Sequence, residues 1–209
     1  MKGFFVTGTD TNVGKTVLSA LLVAALDAVY WKPIQTGAGE STDRAFVRLW
    51  AAPPEDRLLP ECFCFDPPVS PHLAAREAGV RIALDSIRLP AAAAGHPWIV
   101  EGAGGVMVPL NERDLMLDLM RHLGLPVVVA ARTSLGTINH TLLTLAALRG
   151  AQLEVRGVVL IGEENLENRC AIEHYGGVRA VGHIPFLEKI NRAALLDVFV
   201  KHFDQNAFQ

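Results

Sequence analysis

With 209 residues, half of them hydrophobic and 20% charged, the chain has the composition of a folded protein with a substantial core, which excludes a disordered polypeptide. Nineteen basic against 22 acidic residues give a net charge of −3 with no basic tail or stripe, so a nucleic-acid partner is not expected. Cys62, Cys64 and Cys170 fit neither a disulfide framework nor a zinc pattern, and buried or incidental thiols in a reducing cytoplasm are expected.

Met1-Lys2-Gly3 leads straight into an apolar run, so no secretory leader is expected. That run, Phe4–Thr7, reads as a first strand, and similar continuous runs recur at Val29–Trp31, Trp98–Val100, Val127–Ala130, Val155–Ile161 and Ala180–Ile184. Continuous rather than alternating apolar residues are the mark of strands covered on both faces. Helix-like segments lie between them over Lys15–Leu26, Asp43–Trp50, Asp85–Ala92, Leu115–Leu123, Thr137–Arg149 and Asn168–Tyr175. The alternation predicts an α/β fold with a mainly parallel sheet and helices on both faces, in one domain over residues 1–209. The longest apolar stretch is broken by Asp27, and neither a membrane span nor a membrane partner is expected.

Directly after the first strand stands "GTDTNVGKT", residues 8–16. The usual phosphate loop has Gly-x-x-x-x-Gly-Lys-[Ser/Thr], but here Thr9 occupies the first Gly position and Gly8 lies one residue too early. The strand–loop–helix setting is nevertheless the one that presents backbone N–H groups to phosphate. In it Lys15 reaches the terminal phosphates and the Thr16 hydroxyl is a ligand for Mg²⁺. An ordinary strand-to-helix turn would account for the glycine but not for the Lys-Thr pair.

At the end of the second strand, "WKPIQTG" places Lys32 before Pro33, a position biased away from helix. A lysine there is able to neutralise a phosphoryl group in transfer, although a snorkelling strand-end lysine would be the plainer reading of this segment alone. In "ESTDRAF", Ser41, Thr42 or Asp43 suits a helix cap, and pattern alone prefers capping to a metal role for Asp43. "WIVEGAGG" ends a strand in Glu101, which resembles the acidic Mg²⁺ residue of P-loop nucleotide enzymes. In "TSLGTINH", Gly136-Thr137 opens a helix whose N-terminus suits an anion, and His140 is given no role. Near the C-terminus, Leu195, Leu196, Phe199, Val200 and Phe203 form an apolar stripe with only Lys201 beside it, so packing on the core or on a neighbouring subunit is expected.

These segments, together with "PPVSPHLAA" and "GHIPFLE", resemble the dethiobiotin synthetase family in order and over nearly the whole chain, Phe5 to about Glu188. The resemblance implies a three-layer P-loop NTPase-like fold and a homodimer. It also implies an ATP- and Mg²⁺-dependent reaction joining CO₂ to 7,8-diaminopelargonic acid, through a carbamate and a mixed anhydride with phosphate. Lys32 matches the family's active-site lysine, Lys15 the phosphate-loop lysine, and Thr36 a substrate-contacting position. Thr16, Asp43 and Glu101 match the Mg²⁺ ligands, which changes the reading of Asp43 by resemblance and not by spacing. Asn12, Val13, Gly14, Lys15, Thr16 and Val17 match one nucleotide-binding segment, and Glu101, Gly102, Ala103 and Gly104 another. Pro185, Phe186 and Leu187 match a segment near the nucleoside. Gly136, Thr137, Ile138 and Asn139 match the helix start that receives the substrate carboxylate across the dimer interface.

One departure concerns the base. Some members of the family carry Asn where "LIGEEN" places Gly162, which offers no side-chain donor or acceptor to adenine, although Asn165 lies nearby. The competing reading is a P-loop switch ATPase of the partitioning type. Such proteins carry an additional lysine near the position of Asp10, and this chain does not.

Overall fold

Residues of β1 (Gly3–Gly8) alternate between two cores, with Phe4 and Val6 packed on one side of the sheet and Phe5 on the other. The same alternation places Val128 and Ala130 on the first side and Val127, Val129 and Ala131 on the second. Every strand residue therefore meets an apolar layer, which is why the runs are continuous. The computed structural model describes residues 3–39, 41–89 and 95–209. Six parallel strands stand in the order β2 (Val29–Trp31), β5 (Trp98–Gly105), β1, β6 (Val127–Arg132), β7 (Val155–Ile161) and β8 (Ala180–Ile184). Helices α1 (Lys15–Leu26), α2 (Asp43–Ala51) and α7 (Arg192–His202) cover one face. On the other lie α3 (Pro71–Glu77), α4 (Met116–Leu123), α5 (Thr137–Gly150) and α6 (Leu166–Gly176). The three-layer α/β architecture is thus the expected one, and the loops at the C-terminal strand ends are where such sheets hold ligands.

Five local features differ from the sequence reading. Glu101 does not end its strand: β5 runs on to Gly105, and Glu101 sits in mid-strand opposite Val6 with 1% of its surface exposed. A second small sheet pairs β3 (Ile34–Thr36) with β4 (Phe63–Phe65), three residues each, whose pairing is non-local and leaves no periodic signal. Helix α3, absent from the helices read in the sequence, begins with Pro71 at its first turn, where a missing N–H costs nothing. The helix expected over Asp85–Ala92 is only a 3₁₀ turn, Leu84–Ser86, followed by extended Ile87. Ile82 and Ile87 are both fully buried and tie down that segment; residues 90–94 lie outside the described range. The three cysteines are exposed and unpaired rather than buried. Among the described residues no helix is long and apolar enough to cross a membrane.

The C-terminal stripe packs on its own chain. Leu195, Phe199 and Phe203 are buried with Phe4 and Phe208, whereas Val200 is exposed. The Phe203 ring lies against Gly182 of β8 so closely that a Cβ there would come within 2.5 Å of it. Phe203→Ala would open a void between α7 and the sheet, and unfolding in urea should show a loss of about 3 to 5 kcal/mol. An unchanged midpoint would mean that this contact contributes little.

Candidate active site

The phosphate loop is held open by glycine. Gly14 caps α1 with φ of 95°, and a Cβ there would also press on the Ile161 side chain at 2.8 Å. It supplies no side-chain acceptor, so the first N–H groups of α1 are left for an outside anion, with the helix dipole behind them. Lys15 folds back across the loop, its Nζ donating to the Asp10 carbonyl at 2.8 Å. Burial, and then the neighbouring Lys32 ammonium, bring its pKa down to about 8.

Beside the loop three oxygen-bearing side chains from α1, α2 and β5 converge. Thr16 Oγ1 lies 2.6 Å from Asp43 Oδ1 and 3.0 Å from Glu101 Oε1. Lys32 Nζ bridges the two carboxylates, 2.7 Å from Asp43 Oδ2 and 3.2 Å from Glu101 Oε1. Tyr30 donates its hydroxyl to Glu101 Oε2 at 3.0 Å, so both oxygens of this buried carboxylate are satisfied. Burial alone would discharge Lys32, but Glu101 and Asp43 outweigh it and hold its pKa above the ordinary value. Burial likewise opposes ionisation of Asp43, and Lys32 with the Thr16 hydrogen bond outweighs it and lowers that pKa. For Tyr30, burial and then the Glu101 charge push the phenol far up, so it remains a donor.

Capping and cluster formation turn out to be divided between neighbours. Thr42 is the cap of α2, accepting from the Ala45 N–H at 3.2 Å, which frees the Asp43 side chain for the cluster. Gln35 fixes the start of the same helix by accepting from the Asp43 N–H at 3.1 Å.

Two clefts meet at the loop. One, of about 480 Å³, is lined by Asn12, Gly14, Lys15, Thr16 and Val17 and by Lys32, Thr36, Asp43, Glu101, Ala103 and Gly104. Phe46 and Trp50 stack along its wall with ring centroids 5.0 Å apart. The other, of about 750 Å³, is bounded by Asn12, Val13, Gly14, Gly162, Pro185 and Phe186, with Arg132 at its edge. Leu187 instead packs against the core, and Gly102 is buried, its carbonyl 3.5 Å from Lys32 Nζ. Gly136, Thr137, Ile138 and Asn139 line neither cleft: Thr137 is buried, while Gly136 and Asn139 are exposed. Tyr30, Gln35 and the aromatic pair were not foreseen, since only tertiary contact brings them to the cluster.

Gly162 is fixed on every side. Its N–H donates to the Ile184 carbonyl at 2.9 Å, its carbonyl lies 2.8 Å from His183 Nε2, and a Cβ would meet Thr133 Oγ1 at 2.6 Å. Its φ of 128° also disfavours any side chain. Asn165 caps α6, its Oδ1 accepting from the Asn168 N–H at 2.9 Å, and it lines the larger cleft.

A hydroxyl and two carboxylates are hard oxygen donors of the number Mg²⁺ takes from a protein before completing its shell with water and phosphate. Among the described residues no His or Cys joins this set in its cleft, and all its donors are oxygens, the kind that suits Mg²⁺ rather than a softer ion. The donor set therefore fits Mg²⁺.

The family described as "AAA domain" matches residues 2–194. A protein of Paramagnetospirillum magneticum called ATP-dependent dethiobiotin synthetase BioD is 51% identical over 195 residues, 93% of each chain. Another so called, from Rhodopseudomonas palustris, is 44% identical over 203 residues, 97% of this chain and 95% of its own. Among solved structures, a ParA family ATPase from Chlorobium tepidum shares the fold with a TM-score of 0.55 and 13% identity, over 95% of this chain and 90% of its own. With relatives this similar over almost its whole length, the chain belongs to the family of ATP-dependent dethiobiotin synthetases.

Proposed function

We propose that this ATP-dependent ligase closes the ureido ring of dethiobiotin from 7,8-diaminopelargonate, CO₂ and ATP, with Mg²⁺. The observation that carries the reading is the Lys32 ammonium set between Asp43 and Glu101 beside the phosphate loop. One substrate amine adds to CO₂ and loses a proton, giving a carbamate. A carbamate oxygen attacks the γ-phosphorus and ADP leaves, so a mixed anhydride forms. The second amine then attacks the carbonyl carbon and loses a proton, the C–O bond to phosphate breaks, and inorganic phosphate departs as the ring closes.

The chain's own residues position and neutralise. Lys15 and the N–H groups at the start of α1 hold the phosphates, while Lys32 offsets charge on the carbamate and the phosphoryl oxygens. Thr16, Asp43 and Glu101 would hold Mg²⁺, which supplies further positive charge to the phosphoryl group when bound. Gly136 and Asn139 at the start of α5 are exposed, which suits reception of the substrate carboxylate across the interface of a homodimer. Likeness to the ParA family ATPase extends to the fold alone, and Asp10 stands near the position of the switch-ATPase lysine.

The test is incubation of purified protein with diaminopelargonate, bicarbonate, Mg²⁺ and ATP, and detection of dethiobiotin by mass. No product would overturn the reading. Because Gly162 brings no side chain to the base, ATP, GTP and CTP should give kcat/KM values within about tenfold of one another. A preference for ATP of about a thousandfold would mean that other groups read the base.

A further inference from the structure

Asp10 places a carboxylate inside a loop built to receive phosphate, which is electrostatically costly unless a cation answers it. Arg132, the last residue of β6, gives that answer: its Nη2 lies 3.0 Å from Asp10 Oδ2, while Asp10 Oδ1 accepts from the Thr11 N–H at 2.7 Å. Both partners are about half exposed, at 47% and 53%, so the pair is of the weak, exchangeable kind. Arg132 also lines the 750 Å³ cleft beside Asn12, Val13 and Gly14. Asp10, by contrast, borders a separate apolar cleft of about 410 Å³ with Thr9, Met107 and His140. The pair thus spans the boundary between two cavities, with the cation on the side of the phosphate loop. Among the described residues its guanidinium has no other hydrogen-bond or ion-pair partner: the Arg132 contact with Thr137 is made by its backbone carbonyl.

We propose that Arg132 is a nucleotide-binding residue, held by Asp10 in the free protein and transferred to the polyphosphate of ATP when that fills the cleft. A triphosphate offers the guanidinium a bidentate acceptor of higher charge than a single carboxylate, and the exchange breaks only an exposed pair. The proposal rests on ATP being the ligand of this cleft, but not on the ring-closing reaction.

The experiment is calorimetric titration of Mg²⁺-ATP into the wild type and the R132A, D10N and D10N/R132A variants, each checked for folding by thermal melting. R132A should weaken ATP about tenfold or more, and should do so by a similar factor in the D10N background. If the effect vanishes in D10N, Arg132 merely neutralises Asp10 and the proposal falls; it falls equally if R132A binds ATP like the wild type. An absence of dethiobiotin in the product assay, with these titrations as expected, would overturn the proposed reaction and leave this inference standing.

Discussion

Lys32→Ala is expected to lower kcat by about a hundredfold to a thousandfold, the range seen when one charge-stabilising donor is taken from a desolvated site. Affinity for Mg²⁺-ATP should change far less, because Lys15 and the start of α1 remain. The substitution also removes the cation between two carboxylates. Glu101 is 1% exposed, so its charge is left with hydrogen bonds from Tyr30 and Thr16 and with the nearby Lys15 ammonium. Breaking a buried ion pair costs on the order of 3 to 5 kcal/mol, so the variant should melt earlier and be assayed well below its transition. Single-turnover measurement with folded variant separates the effects. Normal ATP binding with slow phosphoryl transfer supports the assignment, and a kcat near that of the wild type would remove Lys32 from the chemistry.

Glu101→Gln tests the metal set with almost no change of shape. Gln retains an acceptor for the Tyr30 hydroxyl, and Lys32 keeps its 2.7 Å contact with Asp43. What disappears is one of the two carboxylates proposed to hold Mg²⁺. The Mg²⁺ concentration giving half-maximal rate should rise by about tenfold or more, and the rate at saturating Mg²⁺ should fall by about a hundredfold. The check is a Mg²⁺ titration of initial rate at fixed ATP. A curve that superimposes on the wild type would exclude Glu101 from the metal site.

The layout of the fold was legible because each strand is buried on both faces and each helix lies between strands, so local composition and global position agree. The bounds of α1 and β7 follow from sequence alone for that reason. The small β3–β4 sheet was not legible, since three-residue strands are stabilised by partners far along the chain. In the site, Gly14, Lys15 and Thr16 announce themselves because no structural requirement explains the Lys-Thr pair. Asp43 is different. Its spacing suited a cap, and only the packing of α2 against α1 shows that Thr42 caps while Asp43 turns inward. Tyr30 looked like one more apolar strand residue, and its hydroxyl acquires a purpose only through β2 pairing with β5, which brings Glu101 within reach. Arg132 was passed over because a charged residue at a strand end has an ordinary solvated explanation.

The stacked pair on α2 gives the protein an intrinsic optical gauge. It has three tryptophans. Trp31 is sealed in the core with its indole N–H donating to the Pro60 carbonyl, and Trp98 begins β5 at the end of the sheet away from the phosphate loop. Trp50 alone borders the cleft, resting on Phe46. Its emission should therefore follow cleft occupancy while the other two give a steady background. Rapid mixing with unlabelled ATP, with and without the proposed diamine substrate already present, would then resolve the order in which the two bind.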